Sequence, residues 1–300
     1  MLSPSEVGWD IGLYSQEWLD ERFRLTRKLA ADVVADPTPG VVHDLRVACR
    51  RLREAIDFFR GVPAVPPLSD VERAARRMAR SVARLRETDV AIRTLRSFDM
   101  ATGDEAADVQ KDMIATLREK RERLAKKRGR RIAKRASQLG SAIALHLPLR
   151  SRTRAADVDP SSEATLRAFA ETRASERRIE VERLFDSARR RGGRFSLEAN
   201  LEALHAVRVA IKHWRYASEI SRAVVPRVLY RPMVVKLRGL QDLGGKSQDL
   251  TDLAGVIERS LSKKRHVSRA ERSFLASVRK ARATTSRAFY EALKVSLTTG

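Results

Sequence analysis

Apolar residues recur at three- and four-residue spacing along almost the whole chain, and period-two alternation is scarce. That pattern predicts helices rather than strands. An amphipathic segment over 8–35 comes first, and DPTPG (36–40) ends it. Thr38 and Pro39 fit the cap and first-turn positions of the next helix, VVHDLRVACRRLREAIDFFR (41–60), which stops near GVPAVPP (61–67). A third helix is predicted over 69–98, a Gly-containing break at 101–104, and a long basic helix over 105–146. LPLRSRTRAADVDPSSEA (147–164) carries Pro, Ser and Asp without periodicity and reads as a linker. Beyond it, helices are predicted over 162–190, ending at RRRGGRF, and over 196–223. Pro226 and Pro232 interrupt, and helices over 231–260 and 268–296 follow.

Four helices precede the linker and four follow it, and the two halves repeat each other. LHAVRVAIKHWRYASEI (204–220) overlays VHDLRVACRRLREAIDF (42–58) at a constant offset of 162. His43 meets His205, Arg46 meets Arg208, Arg50 meets Lys212, Arg53 meets Arg215, and Asp57 meets Glu219. The ungapped register continues through Arg76 and Arg238, Arg84 and Lys246, and Glu87 and Asp249. Duplication is the economical explanation. The expected fold is therefore all-α: two pseudosymmetric four-helix bundles, residues 1–150 and 151–300, packed into one unit of about 8–297.

Angular position gives the repeated helix two faces. With His43 at zero and 100° per residue, Arg46, Arg50 and Arg53 fall at about 300°, 340° and 280°. Leu45, Ala48, Cys49, Leu52, Ile56 and Phe59 span about 140° to 240° and face a core. Val207, Ala210, Ile211 and Trp214 form the matching stripe in the second copy. A solvated basic face is the simplest account of an arginine-rich helix, but such faces usually mix acids and bases at i, i+4. Here one ridge is nearly all cationic, includes a histidine, and occurs twice. Its single acid, Asp57 or Glu219, stands four residues beyond Arg53 or Arg215 and is expected to orient that guanidinium.

Composition points the same way. Lys and Arg total 61 against 38 acids, a formal charge of +23, so a polyanionic partner is expected to relieve self-repulsion. Guanidinium forks suit bidentate phosphate contacts, and arginines about 5–6 Å apart on a helical ridge can follow a linear polyanion. A histidine adds a donor whose charge switches on near pH 6.5 and which neighbouring phosphate favours, so binding should strengthen as pH falls from 8 to 6. Arg73, Arg76, Arg77, Arg80 and Arg84 share one half of the third helix, and Arg118, Arg121, Arg128, Arg131 and Arg135 mark the fourth. The KKRGRR run (126–131) reads equally well as solvated surface.

Other classes lack residues. Cys49 is the only cysteine, which excludes an intrachain disulfide framework or a Cys-rich zinc site and fits a reducing, cytoplasmic setting. ASQLGSAIALHLPL (136–149) is too short to span a bilayer, and nothing resembles a signal peptide, so a soluble chain is expected. His146, His213 and His266 have no His or Cys nearby and read as structural or exposed. No Walker loop, GxGxxG or GxSxG occurs. HDLR resembles a phospho-acceptor box, but Val47 and Ala48 replace the usual Thr-Pro and no nucleotide-binding glycine boxes follow. In EVER (180–183), Glu180 and Glu182 alternate, but Leu184 stands where a triphosphate-tunnel enzyme would want Lys. No cofactor is expected. Trp9 and Tyr14 are expected to be exposed, available for an additional N-terminal contact.

HDLRVACRRLR (43–53), HAVRVAIKHWRYASE (205–219), RETDV (86–90) and LRGLQDLGGKSQDL (237–250) together resemble the CHAD family, the conserved histidine α-helical domain. The resemblance implies two pseudosymmetric four-helix bundles and noncatalytic binding of inorganic polyphosphate in a basic groove, with localisation to polyphosphate granules. It implies a phosphate-contacting set of His43, Arg46, Arg50, Arg53, His205, Arg208, Lys212 and Arg215. Arg51, Arg76, Arg80, Arg84, Arg238 and Lys246 join that set as basic neighbours. His213 stands where the family usually has Arg, and Gly244 where Leu is common, which implies a somewhat weaker second half. No triphosphatase domain accompanies these motifs. The competing reading is nonspecific nucleic-acid binding, for which +23 suffices. Scarce aromatics speak against single-strand stacking. Other phosphate-rich polyanions are possible partners, a membrane is not, and an enzyme acting on a phosphorylated metabolite would lack a base or metal site.

Overall fold

The computed structural model describes residues 11–98, 104–147, 149, 161–191, 197–222 and 227–298. Among them every regular element is a helix: α1 (Ile11–Ala35), α2 (Pro39–Phe58), α3 (Ser69–Ser81), α4 (Ala83–Ser97), α5 (Asp104–Ala144), α6 (Ser161–Arg191), α7 (Leu197–Ser221), α8 (Arg227–Leu261) and α9 (Arg269–Thr298). Trp9, Pro226, most of the 101–104 break and most of the 147–164 linker lie outside the described residues.

Local chemistry sets the ends of α2. Thr38 is extended at φ −60°, ψ 158°, and its hydroxyl accepts from the Val41 N–H at 3.4 Å, with Pro39 opening the helix. At the other end the Phe59 N–H reaches the Ala55 carbonyl at 3.0 Å, and Gly61 adopts φ 87°, a left-handed turn that a side chain would strain.

Two predicted elements differ. The helix expected over 69–98 is two helices, with Val82 (φ −98°, ψ 2°) between α3 and α4. Its sequence is helical throughout, so the break has a tertiary cause. Val82 is fully buried, the Ser81 hydroxyl donates to the Met78 carbonyl at 2.7 Å, and Arg46 Nη1 donates to the Ala79 carbonyl at 2.9 Å. These contacts satisfy carbonyls of the last turn, where helical donors run out. Conversely, Pro232 does not interrupt the chain: it lies inside α8, one and a half turns from the start.

The chain forms two compact units. Unit 1 comprises residues 1–86, 125–178 and 213–234, and unit 2 comprises 87–124, 179–212 and 235–300. These units partition the chain differently from the sequence repeat, because α4, α5, α6, α7 and α8 each contribute to both. In unit 1, α1 packs on α2 and α2 on α3. Leu45, Cys49, Leu52 and Phe59, the predicted stripe, are fully buried. Tyr14 is buried rather than exposed. Its ring meets Trp18 and Phe59 edge-on, and its hydroxyl donates to the Ile220 carbonyl. Unit 2 has its own core, in which Ile92, Leu95 and Leu117 pack with Leu253, Ile257, Phe274 and Val278.

Candidate polyanion-binding site

The cationic ridge of α2 opens onto a cavity in unit 1. About 250 Å³ in volume, it is lined by Arg46, Arg50 and Arg53 of α2, Arg76 and Arg80 of α3, and Cys49 and Ala79. No lining residue is an acid. Arg46 is anchored on the Ala79 carbonyl, and Arg76 Nη2 lies 3.9 Å from Glu72 at the cavity's edge. Arg50, Arg53 and Arg80 have no hydrogen-bonded or ion-paired carboxylate among the described residues, and the Arg53 Nε–H is buried without an acceptor. Five guanidinium groups thus surround one small space, and those of Arg50, Arg53 and Arg80 are oriented by packing on α2 and α3 rather than by a carboxylate.

Asp57 does not orient Arg53. It pairs with Arg60 at 3.4 Å and with Arg177 of α6, so the acid is drawn away from the cavity. Glu219 does meet Arg215, at 2.8 Å. Cys49 forms part of the cavity wall as a thiol. Burial pushes its pKa up to about 12, against the opposing charges of Arg46 and Arg53.

A second pocket of about 240 Å³ lies in unit 2, and its chemistry is mixed. Arg208 and His205 of α7 line it with Glu202, Ser247, Gln248 and Thr251, over Leu201, Leu204 and Phe289. His205 Nδ1 faces the Gln248 amide oxygen at 2.6 Å, and Gln248 Nε2 donates to Asp252 Oδ1 at 2.9 Å. That chain makes Nδ1–H the donor and leaves Nε2 to meet a ligand. Gly244 allows the pocket to close. A Cβ there would stand 2.8 Å from Phe289 Cζ and 3.1 Å from Arg208 Cδ, so a leucine could not fit as these side chains stand.

The structure thus gathers five of the predicted residues, Arg46, Arg50, Arg53, Arg76 and Arg80, in one cavity and two, His205 and Arg208, in the other. His43 and Arg84 are exposed outside the first lining, and Lys212, Arg238 and Lys246 stand outside the second. Arg51 and Arg215 belong elsewhere in unit 1: both meet Glu219 and the face of Tyr216.

His146, His213 and His266 are structural or exposed, as their sequence context predicts, but their partners were not legible there. His213, a departure from the usual arginine, holds Glu54 through Nδ1 at 2.6 Å, giving a buried carboxylate its partner. His146 meets Asp70 at 3.2 Å, and His266 is exposed. Asp89 of the RETDV segment holds Arg121 at 2.8 Å, which takes that arginine into structural service. Glu180 pairs with Arg183 through two contacts of 2.8 Å. Among the described residues, no cluster of three or more His, Cys, Asp or Glu is placed to hold a metal, and no helix is long and apolar enough to cross a membrane.

Comparison with known proteins follows the same lines. The family model for the CHAD domain matches residues 17–258. Among solved structures, the CHAD domain from the plant Ricinus communis superposes with a TM-score of 0.65 at 16% identity, covering 98% of this chain and 93% of that one. PptA from Streptomyces chartreusis gives 0.64 at 14% identity, over 95% of this chain and 98% of that one. No curated protein matches the chain in sequence.

Proposed function

The chain belongs to the CHAD domain family, and from that premise we propose that it is a noncatalytic binding module for inorganic polyphosphate, which takes it to polyphosphate granules. The observation that carries this reading is the unit 1 cavity, where five arginines converge without an acid in the lining. Each bridging oxygen of a polyphosphate is flanked by anionic phosphoryl groups, so the ligand offers repeated charge along a thin flexible thread. Guanidinium forks bind such groups by charge-assisted hydrogen bonds, and displaced counterions add to the affinity. The half-polar pocket of unit 2 contributes His205 and Arg208 as further donors.

A competition experiment at about 150 mM salt tests this: labelled long-chain polyphosphate is displaced by unlabelled polyphosphate, triphosphate, DNA or RNA. Polyphosphate should compete best per unit charge. Displacement by DNA at equal charge concentration would instead favour the nucleic-acid reading. In parallel, Arg46→Glu, Arg50→Glu and Arg53→Glu together should abolish binding, whereas reversing Lys126, Lys127 and Arg130 should weaken it only modestly. Equal losses from both sets would reduce the cavity to generic electrostatics.

A further inference from the structure

We infer that Arg177 of α6 is a positioning residue for the unit 1 cavity: by holding the Asp57 carboxylate it keeps that acid off Arg53 and leaves the Arg53 guanidinium to a ligand. The inference rests on the polyphosphate reading and adds to it a residue outside the cavity lining.

The two copies of the repeated helix supply the comparison. Arg215 and Glu219 stand four residues apart on α7, and Glu219 Oε1 accepts from Arg215 Nη1 at 2.8 Å. Arg53 and Asp57 hold the equivalent positions on α2. Yet Arg53 meets no carboxylate among the described residues, and its Nε–H is buried without an acceptor. Reach does not explain the difference. On α1, Lys28 pairs with Asp32 at 3.3 Å with the same spacing and order, so an aspartate four residues on can take a base. What differs is the competition for the acid. Asp57 Oδ2 accepts from Arg177 Nη2, and its Oδ1 lies 3.4 Å from Arg60 Nε. Both oxygens are engaged, and neither is left for Arg53.

α6 is held against the end of α2 by contacts that do not involve Asp57. Arg173, one turn before Arg177, donates through Nη2 to the Arg60 carbonyl at 2.8 Å, and the Phe58 and Phe169 rings meet edge-on at 5.6 Å. Arg177 therefore reaches Asp57 from an anchored helix. Arg60 is the weaker holder. It is 60% exposed at the side chain and divides its guanidinium between Asp57 and Glu72, whereas Arg177 is 28% exposed. Without Arg177, Asp57 Oδ2 is released, and Arg53 stands one turn back with an unused donor. A guanidinium paired with its own carboxylate offers a phosphate less charge and fewer donors.

A double-mutant cycle tests this, with calorimetric titration of long-chain polyphosphate into the full chain carrying Arg177→Met, Asp57→Asn or both. Arg177→Met should weaken binding about tenfold and make the slope of log K against log salt shallower by about 0.7, the share of one phosphate contact. Adding Asp57→Asn to it should restore both affinity and slope, because the acid no longer claims Arg53. In the native background, where Arg177 already holds the acid, Asp57→Asn should change affinity less than about twofold. If net charge alone mattered, Asp57→Asn would strengthen binding by the same factor in both backgrounds. That equality overturns the inference, as does unchanged affinity in Arg177→Met. Should the methionine variant not fold, Arg177→Ala takes its place in the cycle, since both residues suit a helix interior. A native chain that binds no polyphosphate removes the polyphosphate reading and this inference with it. Binding by the native chain with equal factors removes the inference alone.

Discussion

Cys49 sits in the cavity wall among arginines, yet none of its surface is exposed and burial pushes its thiol to about 12. Thiol reactivity needs the thiolate and access, and Cys49 has neither. A thiol-alkylating reagent at pH 8 should therefore leave the native protein unmodified and label it promptly once unfolded in urea. Fast labelling of the native chain would mean that the cavity wall opens. Asp70 gives a pH prediction. Burial works against its charge, but the Val71 N–H and His146 hold its carboxyl below the usual carboxylate range. A depressed value stabilises the fold above the unfolded carboxylate's pKa, and the contribution is lost as pH falls through the folded value. Asp70→Asn should reduce that acid sensitivity and cost under about 1 kcal/mol at pH 7, since the carboxylate is partly exposed. Urea unfolding at pH 7 and pH 4 checks both. At this scale the sequence was most legible where a residue acts along its own helix. Arg46, Arg50 and Arg53 share a ridge because 3.6 residues make a turn, and they do line one cavity. Partners from other helices stayed hidden: Asp57 chooses Arg177 of α6, and Glu54 chooses His213 of α7.

Among the elements, the two copies of the repeated basic helix differ in what they face. α2 looks onto α3, a helix that ends where the Arg46 guanidinium takes its last-turn carbonyl. The equivalent stretch of the second half runs unbroken through α8, and Gly244 occupies the position equivalent to Val82. Nothing in the local sequence signals the break after Ser81, because every residue from 69 to 97 tolerates a helix. The glycine at 244, where the resemblance implies a leucine, has a steric reason. Phe289 and the Arg208 stem occupy the space a side chain would need. Gly244→Leu should therefore displace Phe289 from the unit 2 core and swing Arg208 out of its pocket, costing about 1–3 kcal/mol as overpacking does. Urea unfolding measures the loss. A Phe289→Ala substitution in the Gly244→Leu background should cost less than Phe289→Ala alone, because it relieves the clash. If the two losses simply add, the contact at Gly244 is not the cause.

For the molecule as a whole, +23 sets two salt dependences of opposite sign. In the ligand-free protein the arginines of the cavity repel one another, and added salt screens that repulsion. Raising NaCl from about 50 to 500 mM should therefore raise the melting temperature. Binding responds in reverse, because each cation that meets a phosphate releases a condensed counterion. A single-stranded polyanion loses about 0.7 per contact in the slope of log K against log salt, so five cavity arginines predict a slope near −3.5. Arg50→Ala with Arg80→Ala should make it shallower by about 1.4 and weaken binding at least about a hundredfold, at about 1.5 kcal/mol or more for each lost charged hydrogen bond. A slope shallower than about −1 in the native chain would show that the ligand does not neutralise the cavity, whatever its affinity. The repeated helices made this charge pattern readable from sequence, but not its division. The compact units draw on both halves, with α4 to α8 each divided between them, and two similar sequence motifs end in pockets of different chemistry. A chain held mainly by the five arginines of unit 1 should lose most of its affinity when they are removed. The unit 2 pocket, with Glu202 beside His205 and Arg208, should supply the remainder. In the Arg50→Ala, Arg80→Ala protein, His205→Gln should thus weaken the residual affinity by a larger factor than it weakens binding by the native chain. Residual binding that His205→Gln leaves unchanged would place the remaining contacts outside the histidine pocket.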